Sequence, residues 1–90
     1  MTTPDNLSAD YDSKADTLYV TLRRARALSR EEAEPGVYWR YDMSDGTLVG
    51  VTILDFDSYW SGQIQELVKT LADRFQVSRK VAQTVLRRPH

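Results

Sequence analysis

Residues 36–55, GVYWRYDMSDGTLVGVTILD, constrain the fold most, because they read as a β-hairpin that closes at an Asp-Gly pair. The register of a hairpin decides which face each side chain occupies. Pairing Met43 with Thr47 gathers the large apolar side chains on one face: Val37, Trp39, Tyr41, Val49, Val51 and Ile53. The alternation therefore predicts a three-residue loop, residues 44–46, with Gly46 in the left-handed conformation.

Residues 7–22 indicate another hairpin. Pairing Asp12 with Thr17 across a four-residue loop again gives one apolar face, made of Leu7, Ala9, Tyr11, Leu18, Val20 and Leu22. Asp12 and Asp16 then lie at turn positions, where short side chains accept hydrogen bonds from nearby backbone N–H groups. Two hairpins with one apolar face each predict an antiparallel sheet that is covered on one side.

The segment between the hairpins, residues 23–34, fits two structures. Leu22, Ala25 and Leu28 have helical spacing, and Arg, Ala and Glu favour helices. Pro35 and Gly36 end whatever precedes them, so such a helix would be short and its apolar face thin. An edge strand with outward charges satisfies the same residues and protects the sheet from aggregation. Pattern alone leaves both alternatives open.

Three blocks of the chain resemble a known bacterial family. YDSKADTLYVTL begins at Tyr11, EPGV follows at Glu34, and YDMSDGTLVGVTILD runs from Tyr41 to Asp55. In this order the blocks resemble the domain-of-unknown-function family 2283, over residues 11–55. The resemblance implies an antiparallel meander in which residues 23–34 are mainly extended. It also implies a small intracellular protein, for which an antitoxin-like partnership with a small toxin is one suggestion.

After an aromatic connector, the sequence predicts two helices. Ile64, Leu67, Val68, Leu71, Ala72 and Phe75 recur at helical spacing, so residues 62–75 should pack an apolar stripe on the sheet. Ser78 caps a second helix over residues 79–88, before Pro89. We therefore expect an α+β fold in one domain, residues 1–90, with a four-stranded antiparallel meander in residues 7–55 and a helical pair in residues 61–88.

Composition narrows the class of protein. Ninety residues make one small domain with a single core, and the absence of cysteine excludes disulfides and thiolate chemistry. There is no run of about 18 apolar residues, and the first residues, MTTPDN, do not resemble an export signal. A cytoplasmic location is expected by default.

Charge is unevenly distributed along the chain. Residues 1–60 hold six Lys and Arg against eleven Asp and Glu, whereas residues 61–90 hold six against two. Such asymmetry is one indication of a partner of opposite charge, nucleic acid included. Two amphipathic helices that expose their basic residues to water explain it equally well.

The segment LADRFQVSRKVAQTVL, residues 71–86, resembles the helix-turn-helix of bacterial regulators, and also the paired helices of ribbon-helix-helix repressors. It departs from the first motif at Gln76, where glycine is usual because the turn needs a positive φ. A DNA-binding role would use the polar residues of the second helix and arginines that contact phosphates. The candidates are Ser78, Arg79, Lys80, Gln83, Thr84, Arg87 and Arg88.

Enzymatic function has little support in the sequence. The single histidine is His90, the last residue, and no glycine-rich phosphate loop is present. Asp55 and Asp57 form a D-x-D pair that a divalent cation would accept, with Asp42 or Asp45 nearby. Turn formation and helix capping explain all four carboxylates. We therefore expect no catalytic residue, no metal and no cofactor.

Three large side chains point away from the predicted apolar face: Tyr19, Tyr38 and Leu48. Large residues on an otherwise open sheet face mark a protein contact, and symmetric pairing is the commonest outcome. The sequence thus favours a non-enzymatic protein-interaction domain, antitoxin-like or regulatory, that forms a homodimer or binds a small protein. The alternative is a sequence-specific DNA-binding regulator.

Overall fold

The computed structural model describes residues 7–87, which form one antiparallel sheet with two helices packed against one side. The strands are β1 (Ser8–Asp12), β2 (Thr17–Thr21), β3 (Ala27–Glu31), β4 (Val37–Asp42) and β5 (Leu48–Leu54). A 3₁₀ helix, Trp60–Gln63, leads into α1 (Ile64–Phe75), and α2 (Arg79–Leu86) follows. The α+β class is as predicted.

The sheet differs from the predicted four-stranded meander. It has five strands in the order β1-β2-β5-β4-β3, so the last strand in the chain is the central one. The segment between the hairpins supplies the fifth strand, β3, whose backbone gains ladder hydrogen bonds from β4. Leu22 donates its N–H to Val49 O and Met43 donates to Arg26 O, so residues 22–26 carry the chain past the end of the β4–β5 hairpin to the far edge.

The register of the first hairpin is confirmed. Asp12 pairs with Thr17 and Tyr11 pairs with Leu18, as the alternation predicts. The hairpin then joins β5 through β2, where Val20 lies opposite Val51. The two ribbons consequently bury their apolar residues on one common side.

The register of the second hairpin is confirmed only in part. Trp39 lies opposite Val51 as predicted, but a β-bulge interrupts the pairing after Arg40, and Tyr41 faces Leu48 instead of Val49. The bulge inserts one extra residue on β5, which reverses the alternation beyond it. The face predicted for Leu48 is therefore wrong, whereas Tyr41 lies on the core side as predicted.

The loop of the second hairpin is also longer than predicted. Asp42 donates its N–H to Thr47 O at 2.7 Å, so four residues, 43–46, connect the strands instead of three. Met43 does not pair with Thr47, because its N–H donates to the segment that precedes β3. Gly46 has a φ of 77°, which confirms the left-handed position.

The core lies between the sheet and the helices. Trp39, Val51 and Leu71 are fully buried, which confirms the predicted cover of the sheet by α1. The helices contribute Leu67, Val68, Leu71, Phe75, Ala82 and Leu86. The regular α-helix begins at Ile64, two residues after the predicted start, because the preceding turn is a 3₁₀ helix.

A polar network fastens α1 to the edge of the sheet. The Arg74 guanidinium lies 4.0 Å from the centre of the Trp39 ring and donates to the Tyr41 hydroxyl at 2.6 Å and to Glu32 at 3.0 Å. Tyr41 in turn donates to Glu32 at 2.6 Å, which lowers the pKa of that carboxyl. Burial is the main cause that raises the pKa of Tyr41, and the hydrogen bond to Glu32 raises it further. Arg74, Tyr41 and Glu32 thus join α1, β4 and the segment directly after β3.

Candidate functional site

The side of the sheet that faces away from the helices, here called the open face, carries a row of side chains across all five strands. Cross-strand pairing places these residues in line: Asp10, Tyr19, Thr52, Tyr38 and Glu31. The side chain of Tyr19 is 41% exposed, whereas Tyr38 is half-buried. Two tyrosines flank one threonine at the middle of this row and acids lie at its ends. The contact role of the tyrosines stays a prediction.

Leu48 does not belong to the open face. It is half-buried and packs against the main core, together with its pairing partner Tyr41. The bulge on β5 is the physical reason, since it reverses which face is occupied by the residues that precede Gly50. The prediction that Leu48 is an outward contact residue is therefore wrong, and the open face keeps Tyr19 and Tyr38.

Arg40 also lies on the open face, where the sequence did not predict its contacts. Its guanidinium crosses over Gly50 and donates to Val20 O at 2.8 Å and to the Thr21 hydroxyl at 3.2 Å. Burial lowers the pKa of Arg40, and its buried Nε has no hydrogen-bond partner. Within residues 7–87, no carboxylate lies at ion-pair distance from it. The open face thus holds a partly desolvated, uncompensated cation.

The acidic residues of the first motif block hold turns together. Asp12 accepts from the N–H groups of Lys14 and Ala15 at the hairpin turn. Asp16, with a φ of 52°, accepts from Tyr11 Oη at 2.7 Å and from two N–H groups of the connector after β5. The backbone N–H of Asp57, then the Tyr11 hydroxyl, hold the pKa of Asp16 well below its usual range. This part of the motif is structural.

Asp42 has a similar role in the second hairpin. It accepts from the hydroxyl and the N–H of Ser44, and Arg23 lies 2.8 Å away. These contacts, with the Ser44 hydroxyl foremost, lower the pKa of Asp42 to about 2. Asp45 accepts from the N–H and hydroxyl of Thr47. Across the described residues, no three acids or histidines are arranged to share a metal ion.

The turn between α1 and α2 has the positive φ that the helix-turn-helix resemblance expects at position 76. Gln76 adopts the left-handed conformation, with φ 57° and ψ 46°, at the position where glycine is usual. Its N–H caps α1 through Ala72 O, and the Ser78 hydroxyl caps α2 by accepting from Val81 N–H at 3.1 Å. The departure at Gln76 therefore leaves the turn intact, at a conformational cost of about 1 kcal/mol.

Helix α2 presents the predicted polar residues to solvent while its apolar side packs on α1 and the core. Ala82 and Leu86 are buried. The exposed residues are Ser78, Arg79, Lys80, Gln83, Thr84 and Arg87. Arg88, the remaining DNA-contact candidate, lies outside the described residues.

A cleft at one end of the sheet was also missed by the sequence reading. Its volume is about 500 Å³, and it lies where the β3–β4 bend, the end of β5 and the start of α1 meet. Tyr59 and Trp60 form one wall, and Glu34, Asp55 and Glu66 also line it. The aromatic connector, residues 56–60, was the available signal in the sequence. In the structure, one of its rings, Tyr59, stays 55% exposed.

The comparisons with known proteins identify the family. Residues 9–56, just over half of the 90-residue chain, match the family described as "Protein of unknown function (DUF2283)". Neither a search of curated proteins nor a search of solved structures returned a match. Between residues 7 and 87, neither helix has the length and apolar character needed to cross a bilayer. The resemblance of residues 11–55 is thereby confirmed, and the chain belongs to the DUF2283 family.

Proposed function

We propose that this protein is a non-enzymatic interaction domain that associates with a second copy of itself through the open face of the sheet. The observation that carries the proposal is the pair of tyrosines, Tyr19 and Tyr38, on either side of Thr52. Tyrosine gives large contact area with little loss of conformational entropy, and it is enriched among the residues that dominate binding energy.

Charge on the open face favours a second copy as the occupant. Arg40 has no carboxylate partner among the described residues, while Asp10 and Glu31 lie exposed at the ends of the tyrosine row. A face that carries both signs is complementary to itself, so the arginine of one copy can meet an acid of the other. Such an isologous arrangement is the usual form of a homodimer.

Sedimentation of the full chain across the micromolar range tests the proposal. We expect a dimer, and we expect Tyr19→Thr to weaken it by about tenfold or more, since the ring is lost on both sides of a symmetric contact. Threonine preserves the strand preference. Tyr59→Thr is the matched control, because Tyr59 is exposed and belongs to the connector after β5, not to the open face. A strictly monomeric chain, or equal loss in both variants, contradicts the proposal.

An antitoxin-like or regulatory role in the bacterial cytoplasm is the more specific form of this proposal, and it rests on the family resemblance. Its test is co-expression of the tagged chain with the products of neighbouring genes. A stoichiometric complex that survives purification supports the role. Failure of every neighbouring product to co-purify or to change growth contradicts it.

DNA binding is the second candidate function. It is favoured by the left-handed turn at Gln76 and by the exposed polar side of α2. Titration of upstream genomic and random DNA at two salt concentrations tests it. If α2 contacts phosphate, Arg79→Ala should weaken binding and reduce the salt dependence by about one ion, while Lys14→Ala on the β1–β2 loop, outside α2, should not. Absence of binding at low salt eliminates this candidate.

A further inference from the structure

The cleft at the end of the sheet is held open by backbone contacts. Leu54 donates its N–H to Gly36 O at 2.8 Å, which joins the β3–β4 bend to the end of β5. Asp55 then takes a left-handed conformation, φ 55°, and its carbonyl accepts from Tyr59 N–H at 2.9 Å and Trp60 N–H at 3.3 Å. Both sides of the cleft are thus fixed before any ligand arrives, and a preformed site binds with less ordering cost.

One wall of the cleft is apolar and aromatic. Trp60 is buried beneath Tyr59, and the two rings meet edge to face with centres 5.0 Å apart. This contact orients the Tyr59 ring, which remains 55% exposed. Leu54, 37% exposed, extends the apolar surface from the strand side. A ligand in the cleft therefore meets an aromatic ring and an aliphatic side chain.

The charged groups that line the cleft are all acidic. Glu34 comes from the β3–β4 bend, Asp55 from the end of β5 and Glu66 from the first turn of α1, and the lining contains no lysine, arginine or histidine. Three carboxylates around an aromatic wall suit a cation that is carried on an apolar stem. The same charges oppose a nucleic-acid backbone.

The arrangement of the carboxylates favours an extended organic cation over a metal ion. They belong to three separate elements, and no three acids within residues 7–87 converge on one metal position. Arginine and lysine combine a terminal cation with an aliphatic stem, and a planar guanidinium also stacks on aromatic rings.

We propose that this cleft binds an arginine or lysine side chain of a partner protein, with the stem against Leu54 and Tyr59 and the cation among the carboxylates. The residues that line the cleft do not include any of the five in the row on the open face, and the proposed binding does not depend on the homodimer. It gives the domain a second contact, specific for a basic segment of the partner.

Titration of isotope-labelled full-length chain with short peptides, followed by amide chemical shifts, tests the proposal. The probes are a Gly-Ser peptide with two arginines, the lysine version, and a version with citrulline, which has the shape of arginine without the charge. We expect the two basic peptides to shift amides around residues 34–36, 54–60 and 63–70, and the citrulline peptide to shift none of them. No shift at millimolar basic peptide, or equal shifts with citrulline, overturns the proposal.

A pair of variants on α1 distinguishes binding in the cleft from nonspecific attraction to acidic residues. Glu66→Gln removes a carboxylate from the cleft, and Asp73→Asn removes the same charge from the same helix at an exposed position that lines the adjoining groove but not the cleft. We expect Glu66→Gln to weaken the arginine peptide about fivefold, the effect of one partly exposed charge contact, and Asp73→Asn to leave its affinity unchanged. Equal weakening by both variants would show nonspecific attraction and overturn the site.

Two further measurements test whether the ligand is a protein side chain, and whether it binds in the cleft rather than on the open face. Arginine amide and spermidine carry the same cation chemistry without a peptide, and we expect both to bind more weakly than the arginine peptide. Equal or tighter binding of either one overturns the assignment to a partner protein. Tyr19→Thr, on the open face, should bind the arginine peptide with unchanged affinity, whereas Tyr59→Ser should lose the cleft shifts. Loss of binding in Tyr19→Thr alone overturns the location.

Discussion

The carboxylate of Asp16 accepts a 2.7 Å hydrogen bond from the backbone N–H of Asp57, so the turn of the first hairpin is tied to the connector after the last strand. The two residues are 41 positions apart in the chain. Tyr11 donates to the same carboxylate and its ring packs against Phe56, 6.0 Å away between centres. Asp16, which the sequence places at a turn, therefore also links two distant parts of the fold.

The Asp16 contact predicts a dependence of stability on pH. The folded chain lowers the pKa of Asp16 and Asp42, so unfolding takes up protons as pH falls through about 4, where unfolded carboxyls titrate. The stability that these two carboxylates contribute is therefore fully present above that range and is lost below it. We expect Asp16→Asn, which tolerates the positive φ, to lower the urea midpoint at neutral pH and to flatten the acid limb. Asp73→Asn, an exposed control, should leave both unchanged.

Replacement of Gln76 by glycine should stabilise the protein by about 1 kcal/mol, because glycine adopts the left-handed conformation without the cost of a Cβ. Gln65→Gly makes the same change at an exposed helical position of α1 and should destabilise by about 0.5–1 kcal/mol. Urea unfolding of both variants measures the difference. Destabilisation by Gln76→Gly would contradict the turn geometry.

Gly50→Ala should destabilise the protein by about 1–3 kcal/mol, the usual effect of overpacking. A Cβ at this position would lie 2.8 Å from Val20 O and would meet the guanidinium of Arg40. The expected displacement of Arg40 is measurable by its side-chain NMR signal. Gly62→Ala is the control, since a Cβ there meets nothing within 4 Å. A neutral Gly50→Ala would mean that Arg40 does not cross the strand.

Leu71→Ala should cost about 2–5 kcal/mol, because the side chain is fully buried where α1 meets the sheet. Leu28→Ala on the edge strand should change stability by less than about 0.5 kcal/mol, since Leu28 is 57% exposed. Thermal and urea unfolding give both values. Similar losses of stability in the two variants would show that α1 does not pack on the sheet through Leu71.

Periodicity predicted the elements whose information is local. The alternation around Tyr11 and Leu18 gave the first register, and the helical spacing of Leu67 and Leu71 gave the side of α1 that is buried. The segment that contains β3 was ambiguous because an edge strand has few buried neighbours, and the family resemblance was needed to favour an extended backbone. The order of the strands could not be predicted, because an apolar face shows which side of a strand is buried but not which strand lies beside it.

The bulge in β5 and the cleft were not predictable for different reasons. Leu48 and Val49 are both apolar, so the alternation cannot indicate which of them is the extra residue. The cleft unites side chains such as Glu34 and Glu66 that are far apart in sequence, and it depends on the left-handed backbone at Asp55. The bulge has no local signature in the chain, and the aromatic connector indicates cover at the end of the sheet but not a cleft there.

The position of β5 has a consequence for synthesis of the protein. It is the middle strand of the sheet and the last strand to leave the ribosome. The hairpin β1–β2 and the pair β3–β4 are joined by ladder hydrogen bonds only through residues 48–54, so their inner edges remain available to chaperones or to other nascent chains until those residues emerge. Completion of the sheet therefore waits until residue 54 has emerged.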